Sequence, residues 1–384
     1  MNYSKGFVNA APAFQGFFEM RKKIRVAVLF GGKSAEHEIS LISAKNVVEA
    51  IDKKKYEVIL VGIDKKGKWY FNDDPKLLQK ADRPRAIKFN REQNALALVP
   101  GNKTKQWLRL ANRRSEKPVD VVFPIMHGTY GEDGTVQGLL KMADLPFVGA
   151  GVLGSAVGMD KDAMKRLLRD AGIPIARFVT VHSSDRKQLD FDAVARDLGL
   201  PLFIKPANLG SSAGIHKVKD EREFAAAVND AFRYDQKILI EEFIQGREIE
   251  CSVLGNENPI ASVPGEIITR HEFYSYEAKY LDENGAALEI PAKLPDGVVK
   301  DIQRIAIKTF KALYCEGMAR VDFFLRGEKE IIVNEINTIP GFTKISMYPK
   351  MWEASGLSYP DLIDRLIQLA LERFKREKKL KTSR

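Results

Sequence analysis

Cysteine is almost absent: the 384 residues contain two, Cys251 and Cys315, without metal-ligand spacing. So few cannot build a disulfide framework or a thiolate zinc site. Both lie in strand-like or helix-like runs, where the simplest state is a reduced, buried thiol of a cytoplasmic protein. No apolar run approaches the ~20 residues that a membrane helix needs. The first nineteen residues, MNYSKGFVNAAPAFQGFFE, lack the apolar core of a signal peptide. Negative charge is in deficit, with a formal net charge of +10. Half of that excess lies in the tail KREKKLKTSR, which has six basic residues and one acid. It reads as a solvated helix end, so neither a nucleic-acid partner nor a membrane partner is expected. An anionic small substrate fits the remaining charge, and the length suggests two or three domains.

The chain opens with a βαβ pattern: a buried apolar strand IRVAVLFGG at 24–32, a helix at 40–55 and a strand at 56–63. This opening has no G-x-G-x-x-G fingerprint, so a dinucleotide site has weak support. Residues 72–117 are polar and irregular and read as an elaboration with two short strand-like pieces, ALALV and WLRLA. A buried strand at 119–126 then leads into HGTYGEDG. Loops at the carboxyl ends of such strands are where open α/β sheets bind ligands, which singles out Glu36 and His127. The small residues GAGVLGSAVG at 149–158 suggest a hinge. Beyond it, a helix at 160–171 precedes a strand at 202–205, which ends at Lys205 and feeds the glycine- and serine-rich loop PANLGSSAG, a flap whose backbone N–H groups could cover phosphates. The strand KILIEE offers an edge to an adenine, with Glu248 downstream for ribose hydroxyls. The tyrosine-rich loop HEFYSYEAKY reads as a functional lid. Helices at 298–314 and 358–374, the latter capped by Ser358, complete the pattern.

The richest stretch is ARVDFFLRGEKEIIVNEINTIPG, residues 319–341, which reads as a hairpin. A two-residue turn at Gly327 and Glu328 would set Arg320 opposite Glu335, with Asp322 one diagonal step away. Asn337 would share that face, beside Phe324, Ile331 and Val333. Two carboxylates and an amide on one face suggest magnesium.

Taken together, GGKSAEHEIS, MHGTYGEDGTVQG, VGMDK, IKPANLGSSAG, EAKY and NEINTIPGFT resemble the D-alanine:D-alanine ligase family of the ATP-grasp superfamily, in matching order from Gly31 to about Tyr348. The resemblance implies an α/β chain, α+β in its ATP-grasp part. Its domains would be an N-terminal Rossmann-like parallel sheet at 22–149, a central ATP-grasp domain at 150–243 and a C-terminal one at 244–384, with ATP sandwiched between the last two. Residues 1–21 would be an extension outside the fold. The implied reaction forms a D-alanyl phosphate from D-alanine and ATP, then D-alanyl-D-alanine for peptidoglycan, in a cytoplasmic homodimer.

On matching positions, Asp322, Glu335 and Asn337 would hold two Mg2+ or Mn2+ ions, with Glu335 bridging. Lys161 and Lys205 would hold the α and β phosphates under a flap including Gly210 and Ser212. Glu241, Ile244, Glu248 and Asn334 complete the implied ATP contacts. Arg320 and the N–H of Gly341 would stabilise the oxyanion of the second step. Glu36, oriented by Ser211 and Tyr280, would bind the ammonium of the first D-alanine, with His127 near its carboxylate. Ser346 and Met347 would hold the carboxylate of the second D-alanine, and Lys279 would meet phosphate as the lid closes. The sequence departs from the family at the long 72–117 insertion and at the pair Glu241-Glu242, which has an acid where some relatives carry a lysine. Relatives acting on D-serine or D-lactate should differ at both Glu36 and Tyr280. Tyr280→Phe is therefore expected to shift preference toward hydroxy acids. Unchanged selectivity between D-alanine and D-lactate in a competition assay would refute that role.

Overall fold

The computed structural model describes residues 22–72, 75–81, 94–102, 104–210, 213–269 and 286–381. The tyrosine-rich lid with Lys279 and Tyr280, the flap serines Ser211 and Ser212, and the extension at 1–21 lie outside them.

The opening segment forms β1 (Ile24–Gly31), α1 (His37–Ala50), β2 (Tyr56–Ile63), β3 (Trp69–Asn72), β4 (Leu96–Leu98), β5 (Trp107–Arg109), β6 (Val121–Ile125) and α2 (Thr135–Met142). Its main sheet has the order β3-β2-β1-β6. Strands β2 and β6 flank β1 in parallel, as continuous apolar runs demand. The expectation of a parallel sheet is corrected at its edge, where β3 pairs antiparallel with β2. The connection at 64–68 is a tight turn, with Asp64 N–H donating to Lys68 O and Gly67 N–H to Asp64 O, each at 2.9 Å. A turn this short cannot carry a crossover. Within 72–117, β4 and β5 pair as a separate two-stranded sheet. The strand order reverses direction between β1 and β6, so the loops after these two strands meet at a switch point.

The next segment contains α3 (Val152–Met159), α4 (Lys161–Asp170), β7 (Phe178–His182), α5 (Phe191–Leu198), β8 (Leu202–Pro206), β9 (His216–Val218), α6 (Glu221–Ala231) and β10 (Lys237–Glu242). Where the small residues suggested a hinge, α3 is a regular helix. Its glycines serve packing: a Cβ on Gly154 would lie 2.7 Å from Tyr314 O, and one on Gly158 2.9 Å from Thr338 Cγ2. The antiparallel sheet β7-β10-β8-β9 buries Leu202, Ile204, Ile238 and Ile240 against Val194, Leu198, Phe224 and Val228 of α5 and α6. Strand periodicity then turns Lys205 and Glu241 to the opposite face.

The last segment contains β11 (Arg247–Gly255), β12 (Ile260–Ala261), β13 (Gly265–Thr269), β14 (Ala286–Glu289), α7 (Asp296–Ala312), β15 (Gly317–Arg326), β16 (Glu330–Asn337), α8 (Met347–Ala354) and α9 (Tyr359–Glu377). The antiparallel order is β14-β13-β11-β15-β16, with β12 paired to β11. Val321, Phe323 and Leu325 join Ile249, Val253 and the α7 residues Ile302 and Phe310 in one core. Burial of each such side chain contributes roughly 1.5–3 kcal/mol. Both cysteines are buried here without a disulfide, and burial pushes both thiols up to about 12.

Ser358 caps α9 by accepting from Asp361 N–H at 3.3 Å. From the same helix, buried Arg373 donates to Gly149 O at 2.5 Å and Phe147 O at 2.7 Å, and lies 4.5 Å from the Phe147 ring centre. Arg373→Met leaves two buried carbonyls without these donors and is expected to cost roughly 2–4 kcal/mol. A denaturant midpoint equal to that of the parent would contradict this anchoring role.

Candidate active site

The hairpin of β15 and β16 is wound differently from the two-residue-turn expectation. Arg326 pairs with Glu330, leaving a three-residue loop, and the register shifts between Asp322 and Phe323. Asp322 therefore lies directly opposite Glu335, and Arg320 opposite Asn337. The extra residue of this bulge is Asn334, between Val333 and Glu335. Its physical reason lies in the core, where Val333 and Ile336 are both buried although three positions apart. A regular strand puts such residues on opposite faces. With the bulge, Asn334, Glu335 and Asn337 accompany Arg320 and Asp322 on the half-buried face, whereas Ile331 and Val333 belong to the core face, contrary to expectation.

Arg320 donates in bidentate fashion to Asp322, at 2.7 Å for both bonds, and its Nε lies 2.9 Å from Glu250. Glu335 is paired with Lys161 at 3.4 Å. The buried Oδ1 of Asn337 has no hydrogen-bond partner among the described residues, so an oxygen ligand stands uncommitted beside the two carboxylates. That donor set, all hard oxygen, suits magnesium or manganese. Farther along the same face, Phe324 and Ile332 meet Ala176 and Ile244 in a small apolar cluster. Ala176 is brought there because Val333 N–H donates to Pro174 O at 2.9 Å, and the chain then runs parallel to β16 at Ile175.

Lys161 begins α4. Its backbone N–H donates to Ala207 O at 3.0 Å and its Nζ to Leu209 O at 2.9 Å, tying it to the start of the flap. The cap residue Asp160 accepts from Asp162 N–H and Ala163 N–H, and is held in turn by Lys237 at 2.7 Å. Glu241 is buried against Lys205 at 2.7 Å and Lys165 at 3.3 Å. Burial raises its carboxyl, but the two ammoniums outweigh this and hold it below the usual range. Its side chain is thus committed to lysines, and the adenine contact expected of this strand edge is left to its backbone groups. Glu242 accepts from the N–H of Arg177 at 2.8 Å and from its Nε at 3.0 Å.

The loops after β1 and β6 bring Glu36 to Gly128 and to Gly210 of the flap. Gly128 has φ +74, and a Cβ there would lie 2.6 Å from Glu36 Oε2; one on Gly210 would lie 3.5 Å from the same oxygen. Ser34 shapes this corner by donating to His127 O at 2.8 Å and accepting from Glu36 N–H at 3.2 Å. His127 has both ring nitrogens engaged: Nδ1–H donates to Ile339 O at 3.0 Å, so Nε2 accepts from Ser43 at 3.1 Å. Ser43 Oγ accepts from Phe342 N–H at 3.3 Å. The imidazole therefore grips the loop that carries Gly341. Ser346 accepts from Thr343 N–H at 2.9 Å, and a Cβ on Gly341 would lie 2.7 Å from Ser346 Oγ. The serine thus sits against this glycine, at the start of α8 just before Met347.

Sequence reasoning passed over Glu132, Lys165, Ser43 and Glu250. Glu132 lies inside the quoted stretch HGTYGEDG and accepts from Gly128 N–H at 2.8 Å. Burial, then the nearby Glu36 charge, pushes its carboxyl well above the usual range. Lys165 follows Lys161 at helical spacing, a readable signal. Glu250 carries none until β11 is seen to place it opposite Asp322.

Burial holds His127 below its ordinary value. The stability it contributes as neutral imidazole is complete above about pH 6.5 and is lost as pH falls from there toward its folded pKa. Glu132 acts with the opposite sign, losing stabilisation as pH rises from the ordinary carboxyl range, so the parent is compared directly with His127→Gln. The variant is expected to lose less Tm between about pH 7.5 and 5.5. Equal losses in both proteins would contradict this assignment.

Family models for the D-ala D-ala ligase N-terminus and C-terminus match residues 25–150 and 167–368. The D-alanine--D-alanine ligase of Oceanobacillus iheyensis is 57% identical over 365 residues, 95% of this chain and 99% of that protein. The solved D-alanine-D-alanine ligase from Coxiella burnetii is 44% identical with a TM-score of 0.82, covering 93% of this chain and 98% of that one. The VanG D-Ala:D-Ser ligase from Enterococcus faecalis is 38% identical with a TM-score of 0.80, covering 91% and 100%. With family models matching both halves of the chain and a relative 57% identical over 95% of it, this chain belongs to the D-alanine–D-alanine ligase family.

Proposed function

We propose that this protein joins two molecules of D-alanine into D-alanyl-D-alanine for peptidoglycan synthesis, consuming ATP through a D-alanyl phosphate. The observation that carries the reading is the convergence of two groups: the Arg320, Asp322, Glu335 and Asn337 face beside Lys161, and the Glu36 corner beside the Gly341 loop. ATP binding alone would need neither the oxyanion donor Arg320 nor the Glu36 corner. Rossmann-like and ATP-grasp units divided at about 150 and 244 accommodate this arrangement.

Phosphoryl transfer depends on positioning and charge neutralisation. Lys161 and Lys205 draw the α and β phosphates toward the strand face, and the flap from Gly210 through Ser211 and Ser212 closes over them. The apolar cluster with Ile244 receives the adenine, while Glu248, opposite Phe324 of that cluster, and Asn334 complete the nucleotide contacts. Asp322, Glu335 and Asn337 would hold Mg2+ or Mn2+, which when bound neutralises phosphate charge. Glu36, with Ser211 and Tyr280, fixes the ammonium of the first D-alanine so that its carboxylate meets the γ-phosphate. His127 acts from behind, holding the loop at 339–342 in place. In the second step the amine of the other D-alanine attacks the acyl carbon, and Arg320 and the Gly341 N–H receive the oxyanion. The acyl C–O bond then breaks to release inorganic phosphate, which leaves with the proton the amine sheds. Ser346 and Met347, at the α8 N-terminus, hold the incoming carboxylate. Lys279 meets phosphate as the lid excludes water. The family resemblance supports a cytoplasmic homodimer without nucleic-acid or membrane partners, and no helix among the described residues is long and apolar enough to cross a membrane.

Incubation with Mg-ATP and D-alanine should release phosphate and yield D-alanyl-D-alanine as the main product by mass, even with equimolar D-lactate or D-serine present. Glu335→Ala should abolish turnover. Depsipeptide or a D-alanyl-D-serine product would reassign the second substrate, and absence of D-alanine-dependent phosphate release would overturn the reading.

A further inference from the structure

The mechanism above leaves Lys165 unused. Its side chain is fully buried one turn beyond Lys161 on α4, and its Nζ lies 3.3 Å from Glu241 and 5.8 Å from the Phe178 ring centre. Among the described residues, no hydrogen bond reaches that Nζ. A buried ammonium held only by an ion pair is a poor stabilising device, because desolvation offsets most of the Coulombic gain. Its charge instead alters the neighbouring pair.

We infer that Lys165 is a positioning residue for the nucleotide: by sharing the Glu241 carboxylate with Lys205, it leaves the positive charge of Lys205 uncompensated and directed at the phosphates. The inference rests on the nucleotide site proposed above. Lys161 and Glu335 balance one another at 3.4 Å, so the surplus positive charge belongs to the Lys165, Glu241 and Lys205 trio. Without Lys165, Glu241 would sit 2.7 Å from Lys205 as its sole counter-ion and cancel the attraction that polyphosphate meets. The low-dielectric surroundings keep such a charge effective over several ångströms.

The test is ATP affinity in magnesium buffer by calorimetry, with steady-state kinetics alongside. Lys165→Met should weaken ATP binding roughly tenfold and raise KM for ATP in proportion, with kcat and the KM for D-alanine changing much less. The double variant Lys165→Met/Glu241→Gln restores a single positive charge on Lys205 and should regain most of the lost affinity. A role in packing predicts the reverse, with the double variant no better than the single one. Should Lys165→Met fail to fold, Lys165→Gln serves as the second neutral variant and is read against the same Glu241→Gln rescue. Lys205→Met separates the two levels of inference. If it loses ATP affinity while Lys165→Met binds ATP like the parent, only this inference falls. If Lys205→Met also binds normally, the nucleotide site itself is misplaced and both fall.

Discussion

One inserted residue organises the active face. The core needs Val333 and Ile336 inside together, and only a strand with an extra residue between them can satisfy that demand. Asn334 supplies it, and the break in register sets Glu335 opposite Asp322 and Asn337 opposite Arg320. The same packing that closes the hydrophobic core therefore gathers the side chains of Asp322, Glu335 and Asn337 on the opposite, half-buried face. The bulge brings Asn334 and Glu335 out side by side, which a regular ladder could not do.

Around that face the charges form a chain of pairs. Arg320 lies between Asp322 and Glu250, Lys161 reaches Glu335, and Glu241 lies between Lys165 and Lys205. Buried or half-buried charges left single would be costly, and Lys161, Lys205 and Arg320 are each held by a carboxylate. Binding then exchanges one set of ion partners for another.

The corner between the loops after β1 and β6 and the loop at 339–342 is held by neutral hydrogen bonds. His127 and Ser43 bind the loop at Ile339 and Phe342, while Asn46 and Tyr359 both donate to Phe342 O, at 3.0 and 2.9 Å. Residues nearly three hundred positions apart thus fix the backbone around Gly341 against the loops after β1 and β6. Directional bonds between neutral groups suit this task because their strength does not depend on the charge of the substrate passing through.

The sequence by itself determined the elements and the chemistry: continuous apolar runs made parallel strands, the alternation of residues 319–325 made β15, and the quoted motifs named Glu36, Lys161, Lys205, Arg320, Asp322, Glu335 and Asn337. These features are local, because periodicity and short motifs depend on neighbours along the chain. What the tertiary structure decided was pairing. It moved the hairpin register through the bulge, turned β3 antiparallel at the sheet edge, and made a packed helix of the small residues at 152–159. It also turned His127 inward to the Gly341 loop and committed Glu241 to two lysines. Each of these depends on which distant strand or helix lies alongside, and burial, not spacing, chooses the partner of a histidine or a carboxylate.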